Sequence, residues 1–225
     1  MQQFDVKRII QTSPVAHAQP RASAKWEVIN DMDTAVEYES AAVEEARKKV
    51  LGVADVSCLS RYGVKGPNAT QWLLERGIAI PTTPNSWTLC EQKTLVLRLG
   101  SSEFLIEDQL GGTACSRLAS DTARVASVYK VPRADAAFIV SGSGALNMLS
   151  ELCSLDLREK SLAAKDLIMT QVAGISATVI RQTLNGEQTY RIWCDGTYGP
   201  YMWEVLTEIA TEFGGGAVGL SKYQN

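Results

Sequence analysis

Tyr62-Gly-Val-Lys-Gly-Pro-Asn-Ala-Thr-Gln-Trp-Leu-Leu74 reads as a short strand, a tight turn at Gly66-Pro67 and the opening of a helix. The same grammar returns at Phe138-Ile-Val-Ser-Gly-Ser-Gly-Ala-Leu-Asn-Met-Leu-Ser150. Laid over each other at an offset of 76, the two stretches align Val64 with Val140, Gly66 with Gly142, Ala69 with Ala145 and Leu73 with Leu149. Alternating apolar residues feed a sheet, glycine turns the chain, and alanine lets the first helical turn sit close to the strand. Two matching units predict a duplicated α+β architecture with halves at about 53–125 and 134–220. Residues 1–25 are polar and proline-punctuated and read as an N-terminal extension, followed by one α+β domain over 26–225.

Working outward, Trp26–Tyr38 reads as extended, and Ser40 offers an N-cap to a helix over Ala41–Val50 that Gly52 ends. Its Glu44/Lys48 and Glu45/Lys49 pairs have i,i+4 spacing and predict a solvated charged face. Pro81 and Pro84 make Ile80–Trp87 a non-helical connector. Strands follow at Thr94–Leu99 and Glu103–Glu107, then a helix at Ala114–Asp121. In the second half a helix fills Ala145–Cys153 and a polar linker runs to Asp166. Paired strands at Ser176–Thr183 and Thr189–Cys194 meet at Asn185-Gly186, a strong hairpin dipeptide. A last helix over Tyr201–Phe213 places Trp203, Leu206, Ala210 and Phe213 on one core-facing stripe.

The chain has 225 residues, 45% hydrophobic and 21% charged, with a net charge of −3, which removes any electrostatic reason to expect nucleic acid. No apolar run reaches the length of a membrane span, and charges near Met1–Ile10 interrupt a signal peptide's apolar core. Five widely spaced cysteines without a C-x-x-C pair argue against a disulfide framework or a zinc site, and predict reduced thiols in a cytoplasmic protein. One histidine, His17, in a polar stretch between Pro14 and Pro20, excludes His-pair metal motifs and argues against a Ser–His or Cys–His nucleophile.

The Gly142-Ser-Gly144 turn lacks the third glycine of a dinucleotide fingerprint, where Asn147 stands. Gly214–Gly219 has no following lysine and reads as a helix stop. Glu187, beside the Asn185-Gly186 turn, could accept paired N–H donors from a planar heterocycle such as a pterin, or be an exposed turn residue. Asp55, after Gly52, is a loop carboxylate or a cap.

Ser13-Pro14, Val36-Glu-Tyr38, Glu44-Glu45 and Gly52-Val-Ala-Asp55-Val-Ser57 occur in the order seen in the glycine-cleavage T-protein (aminomethyltransferase) family. So do Gly66-Pro-Asn-Ala69, Gly186-Glu187 with Tyr190-Arg-Ile192, and Gly216-Ala-Val-Gly-Leu220. Together they resemble that family over about residues 12–221. The resemblance implies the T-protein-like folate-binding fold without the family's C-terminal barrel. It also implies possible folate contacts at Glu187 and Asp55. The family's paired folate-activating acids fall at Gln92 and Lys93 of Thr88-Leu-Cys-Glu-Gln-Lys-Thr94, and neither is a carboxylate base.

A shorter branch is similar at Gly77-Ile-Ala-Ile-Pro81, Pro84-Asn85, Leu99-Gly-Ser-Ser-Glu-Phe-Leu105 and Thr197-Tyr-Gly-Pro-Tyr-Met-Trp203. These stretches resemble the gamma subunit of heterotetrameric sarcosine oxidase. That likeness implies an accessory subunit with no catalytic residue or metal of its own. Flavin and NAD would sit in larger partner subunits, and tetrahydrofolate would accept the one-carbon unit. The alternative it leaves open is a small aminomethyltransferase or folate-binding regulator, with Glu187 on the pterin and Asp55 or Glu91 as the acid.

Overall fold

The computed structural model describes residues 10–90, 93–159 and 161–223. The chain opens with β1 (Gln11–Thr12), β2 (Lys25–Ile29) and β3 (Met32–Glu37), a small sheet in the order β1-β3-β2. Asn30 and Asp31 both take positive φ, 49° and 65°, which suits the tight β2–β3 hairpin. Helix α1 (Ala41–Leu51) follows Ser40, but the Ser40 side chain makes no cap bond. Glu44 instead ties the helix to distant backbone: its Oε1 accepts from the N–H of Tyr38 at 2.5 Å and of Gly219 at 3.3 Å. Glu44 and Lys48 are therefore buried, a correction to the solvated face read from their spacing, whereas Glu45 and Lys49 stay at the surface.

The first half continues with β4 (Gly52–Asp55), β5 (Arg61–Lys65), α2 (Ala69–Glu75), β6 (Ser86–Cys90), β7 (Thr94–Arg98), β8 (Glu103–Asp108) and α3 (Ala114–Ser120). The second half comprises β9 (Tyr129–Val131), β10 (Asp135–Ser141), α4 (Ala145–Leu152), β11 (Leu167–Val172), β12 (Ile175–Leu184), β13 (Glu187–Asp195), α5 (Gly199–Glu212) and β14 (Gly216–Ala217). Helix α5 begins two residues before the predicted start because Pro200 is accommodated in its first turn, where a missing N–H costs nothing. Gly52 does not merely stop α1; it opens β4. Strands β6, β9 and β11 were not predicted, since each is short and lacks clean apolar alternation.

The duplication is explicit in the sheets. One runs β6-β7-β8-β5-β9 and the other β11-β12-β13-β10-β4-β14, so each half is a strand, a helix, a three-stranded meander and a second helix. The short strand leading each half pairs with the other half: β4 precedes β5 but joins β10, and β9 precedes β10 but joins β5. That exchange ties the halves together. At one edge the sheets also meet directly, where the N–H of Trp87 donates to Lys165 O and that of Leu167 to Asn85 O, each at 2.9 Å.

Strand alternation sorts side chains into three apolar layers. On β10, Ala136, Phe138 and Val140 face α4 and α5, joining Met148, Leu149, Trp203 and Leu206. Ala137 and Ile139 point the other way, with Ala54, Val56 and Trp193, onto Leu95, Leu97 and Leu105 of the opposite sheet. The far face of that sheet buries Val96, Phe104 and Ile106 under Trp72, Leu73 and Leu118. The result is a helix–sheet–sheet–helix sandwich, a duplicated α+β fold. Residues 13–19 of the polar N-terminal stretch pack onto it rather than trailing away, with Val15 fully buried.

Candidate functional site

The central layer is not wholly apolar. On β13 the residues between Tyr190, Ile192 and Cys194 are Arg191 and Trp193, and alternation turns both into the space between the sheets. Glu107 of β8 and Arg61 of β5 face them. Glu107 is fully buried and accepts from Arg61 Nε at 2.7 Å, from Trp193 Nε1 at 2.7 Å and from Arg191. Burial pushes the Glu107 carboxyl upward, but the two guanidinium groups and the indole outweigh it and hold it below the usual glutamate value. Burial pulls Arg191 below its ordinary value, with Glu107 opposing. Arg61 is further anchored to the carbonyls of Val56, Ser57 and Asp135 at 3.0–3.2 Å.

Beside this cluster lies a cavity of about 150 Å³ between the sheets. Val56, Ile139 and Arg191 form its buried floor, and Leu89, Lys93 and Asn185 its mouth. It falls below the roughly 300–1,000 Å³ of pockets that enclose drug-sized ligands.

The structure does not bring the sequence-derived carboxylates together. Asp55 is level with Phe138, which is level with Ile192, five residues from Glu187. That spacing alone puts about 17 Å between them along the strands. Asp55 is buried and occupied, accepting from Ser13 Oγ at 2.5 Å, Gln19 Nε2 at 3.1 Å and the Ser57 N–H at 2.9 Å. It fastens the N-terminal segment to β4. Glu187 sits at the hairpin tip, half-exposed, with an oxygen 2.9 Å from Lys48 Nζ. Lys93 occupies the β6–β7 turn at φ 55°, exposed at the cavity mouth. Glu91 and Gln92 lie outside the described residues. Both carboxylates are thus held by protein groups, and neither lines this cavity.

Other chemistries find little support. All five cysteines are free. Burial raises the thiols of Cys90 and Cys115 and pushes Cys58 up to about 11 and Cys194 up to about 12, which keeps them poor nucleophiles. Among the described residues no group of three or more His, Cys, Asp or Glu is placed to hold a metal ion, and no helix is long and apolar enough to cross a membrane. Sequence reasoning passed over the Arg61–Glu107–Arg191–Trp193 cluster. Its visible signal was an arginine inside the apolar run Tyr190-Arg-Ile-Trp193.

The model of the GCVT N-terminal domain matches residues 82–224, more than half of the chain. Aminomethyltransferases of Bacillus cereus (strain G9842) and Bacillus anthracis are 27% identical over 228 residues, covering 94% of this chain and 61% of theirs. The chain thus spans about three fifths of the length of these curated relatives. Among solved structures, the glycine cleavage system aminomethyltransferase T from Bartonella henselae superposes with a TM-score of 0.70 at 18% identity, over 94% of this chain and 60% of that one. A chain of the heterotetrameric sarcosine oxidase from Corynebacterium sp. U-96 superposes with a TM-score of 0.62 at 19% identity, over 92% of this chain and 98% of that one. With the duplicated sandwich and the matched residues in agreement, the chain belongs to the GCVT N-terminal domain family.

Proposed function

We propose that this chain is a non-catalytic, gamma-type accessory subunit of a multisubunit flavoprotein. That assembly oxidatively demethylates a methylated amine such as sarcosine, with tetrahydrofolate as one-carbon acceptor. The observation carrying this reading is the likeness to a sarcosine oxidase chain that runs over nearly the whole of both molecules. The site geometry supports the non-catalytic part: Asp55 holds the N-terminal segment, Glu187 pairs with Lys48, and lysine stands at position 93. A fold whose carboxylates are spent on its own scaffold offers its surface rather than a general base. Flavin and NAD belong to the partner subunits in this reading, and the chain works in the cytoplasm.

The experiment is to purify the tagged chain from its own source and record mass and visible spectrum. A large yellow assembly with flavin absorbance is expected. A colourless species at the 24.5 kDa of the chain, or at twice that, overturns the subunit role. The 27% identity to aminomethyltransferases favours a second reading, a small folate-dependent transferase. Saturable tetrahydrofolate binding by that colourless species would support it.

A further inference from the structure

The cluster between the sheets is unbalanced. Arg61 and Arg191 carry two positive charges, and Glu107 returns one negative. Among the described residues, the neighbouring carboxylates do not correct this. Asp108 points to the opposite face, accepting from Thr94 Oγ1 and the Cys115 N–H at 2.8 Å, and Asp55 is held by Ser13, Gln19 and Ser57. An arginine cannot shed its proton to escape burial, so a surplus guanidinium in an apolar layer calls for an anion.

The hydrogen-bond inventory points to the same place. Among the described residues, Arg191 Nε and Gln109 Nε2 are buried donors without an acceptor, and both residues line the 150 Å³ cavity. Arg191 is 2% exposed. Trp87 Nε1 and Tyr62 Oη are also buried without a partner, but among the described residues only at this cavity do two such donors and a surplus cation coincide. The remaining floor is apolar, Val56, Ile139 and Leu220, while Lys93 adds a cation at the mouth. A water molecule would satisfy a donor but not the charge, and a bare halide would leave most of the cavity empty.

We propose that this cavity is a binding site for a small monocarboxylate with an apolar body. Its carboxylate accepts from Arg191 Nε and Gln109 Nε2 while its hydrocarbon part covers the aliphatic floor. The inference stands apart from the subunit role and holds for a stand-alone chain equally.

Sodium benzoate serves as the probe, titrated calorimetrically into the full-length chain in the assembly in which it purifies, against sodium chloride at equal ionic strength. Saturable binding of benzoate and not chloride is expected, with a rise of several degrees in Tm at saturation. Gln109→Leu removes a donor that has no acceptor and so should fold normally, yet weaken benzoate binding about tenfold or more. Gln109→Glu supplies a tethered carboxylate and should keep or raise Tm while abolishing the benzoate response. Equal responses to benzoate and chloride would overturn the site, as would benzoate binding unchanged in both variants.

Discussion

Lys48 Nζ lies 2.9 Å from a carboxylate oxygen of Glu187, pinning the β12–β13 hairpin tip to the last turns of α1. Lys48 is almost buried and its ammonium sits 5.3 Å from the ring centroid of Tyr223, whose hydroxyl meets Ser141 Oγ at 2.6 Å. The carboxylate that the family resemblance assigns to a pterin is thus a clasp between α1 and the β12–β13 hairpin of the sheet on which α1 packs. Because Glu187 is half-exposed, Glu187→Ala should cost at most about 1 kcal/mol of stability. Isothermal titration with tetrahydrofolate should give no saturable heat before or after the change. A saturable heat that vanishes in Glu187→Ala would count against the accessory-subunit reading.

Glu107 holds three donors from two strands, Arg61 of β5 and Arg191 and Trp193 of β13, and its removal leaves two guanidinium groups facing each other. Glu107→Gln should destabilise by about 3–5 kcal/mol, read from urea unfolding at neutral pH. The pH dependence follows from the lowered carboxyl. Its contribution is fully present above the unfolded-state value near pH 4.5 and is lost as pH falls through the lower folded-state value. The parent chain should therefore lose stability more steeply below that pH than Glu107→Gln does. Parallel acid limbs for the two proteins would contradict the assignment.

Asp55 should matter for order near the N-terminus rather than for chemistry. Asp55→Asn weakens the bonds from Ser13 and the Ser57 N–H, at a cost of about 1–3 kcal/mol. Hydrogen exchange should speed up at the Ala16 and Ala18 amides, which donate to Ser13 O and Val15 O, before it does so in β10. Uniform acceleration across the chain would show that Asp55 supports the whole domain instead.

Two turn glycines should respond differently to the same substitution. Gly142 has φ +97°, and a Cβ there would lie 2.6 Å from Val50 O and 2.7 Å from Lys48 O. Gly186 has φ +80° in open space. Gly186→Ala should cost about 1 kcal/mol for backbone conformation alone, and Gly142→Ala at least twice that. Thermal melting of both variants decides it, and equal losses would mean that the backbone at Val50 yields.

What could be read along the chain was local. The offset of 76, the Gly66 and Gly142 turns, the Asn185-Gly186 hairpin and the apolar stripe of α5 rest on contacts between near neighbours. Strand alternation, left-handed glycine and helical periodicity state such contacts in a short window. The ordered motifs carried the family on the same footing. The partners of single charges were not legible that way. Glu44 and Lys48 have the spacing of a surface ion pair, yet each is buried because Tyr38, Gly219 and Glu187 converge on them from distant parts of the chain. Arg61 and Arg191 reach Glu107 across 46 and 84 residues. Asp55 and Glu187 look alike as loop carboxylates, and only strand register separates them and gives each a different partner. The sequence by itself therefore determined the duplicated α+β grammar and the family. Tertiary structure alone decided which charges are buried, which are paired and where a surplus cation meets a cavity, because burial and pairing depend on how the two sheets stack, and no short window of sequence contains that.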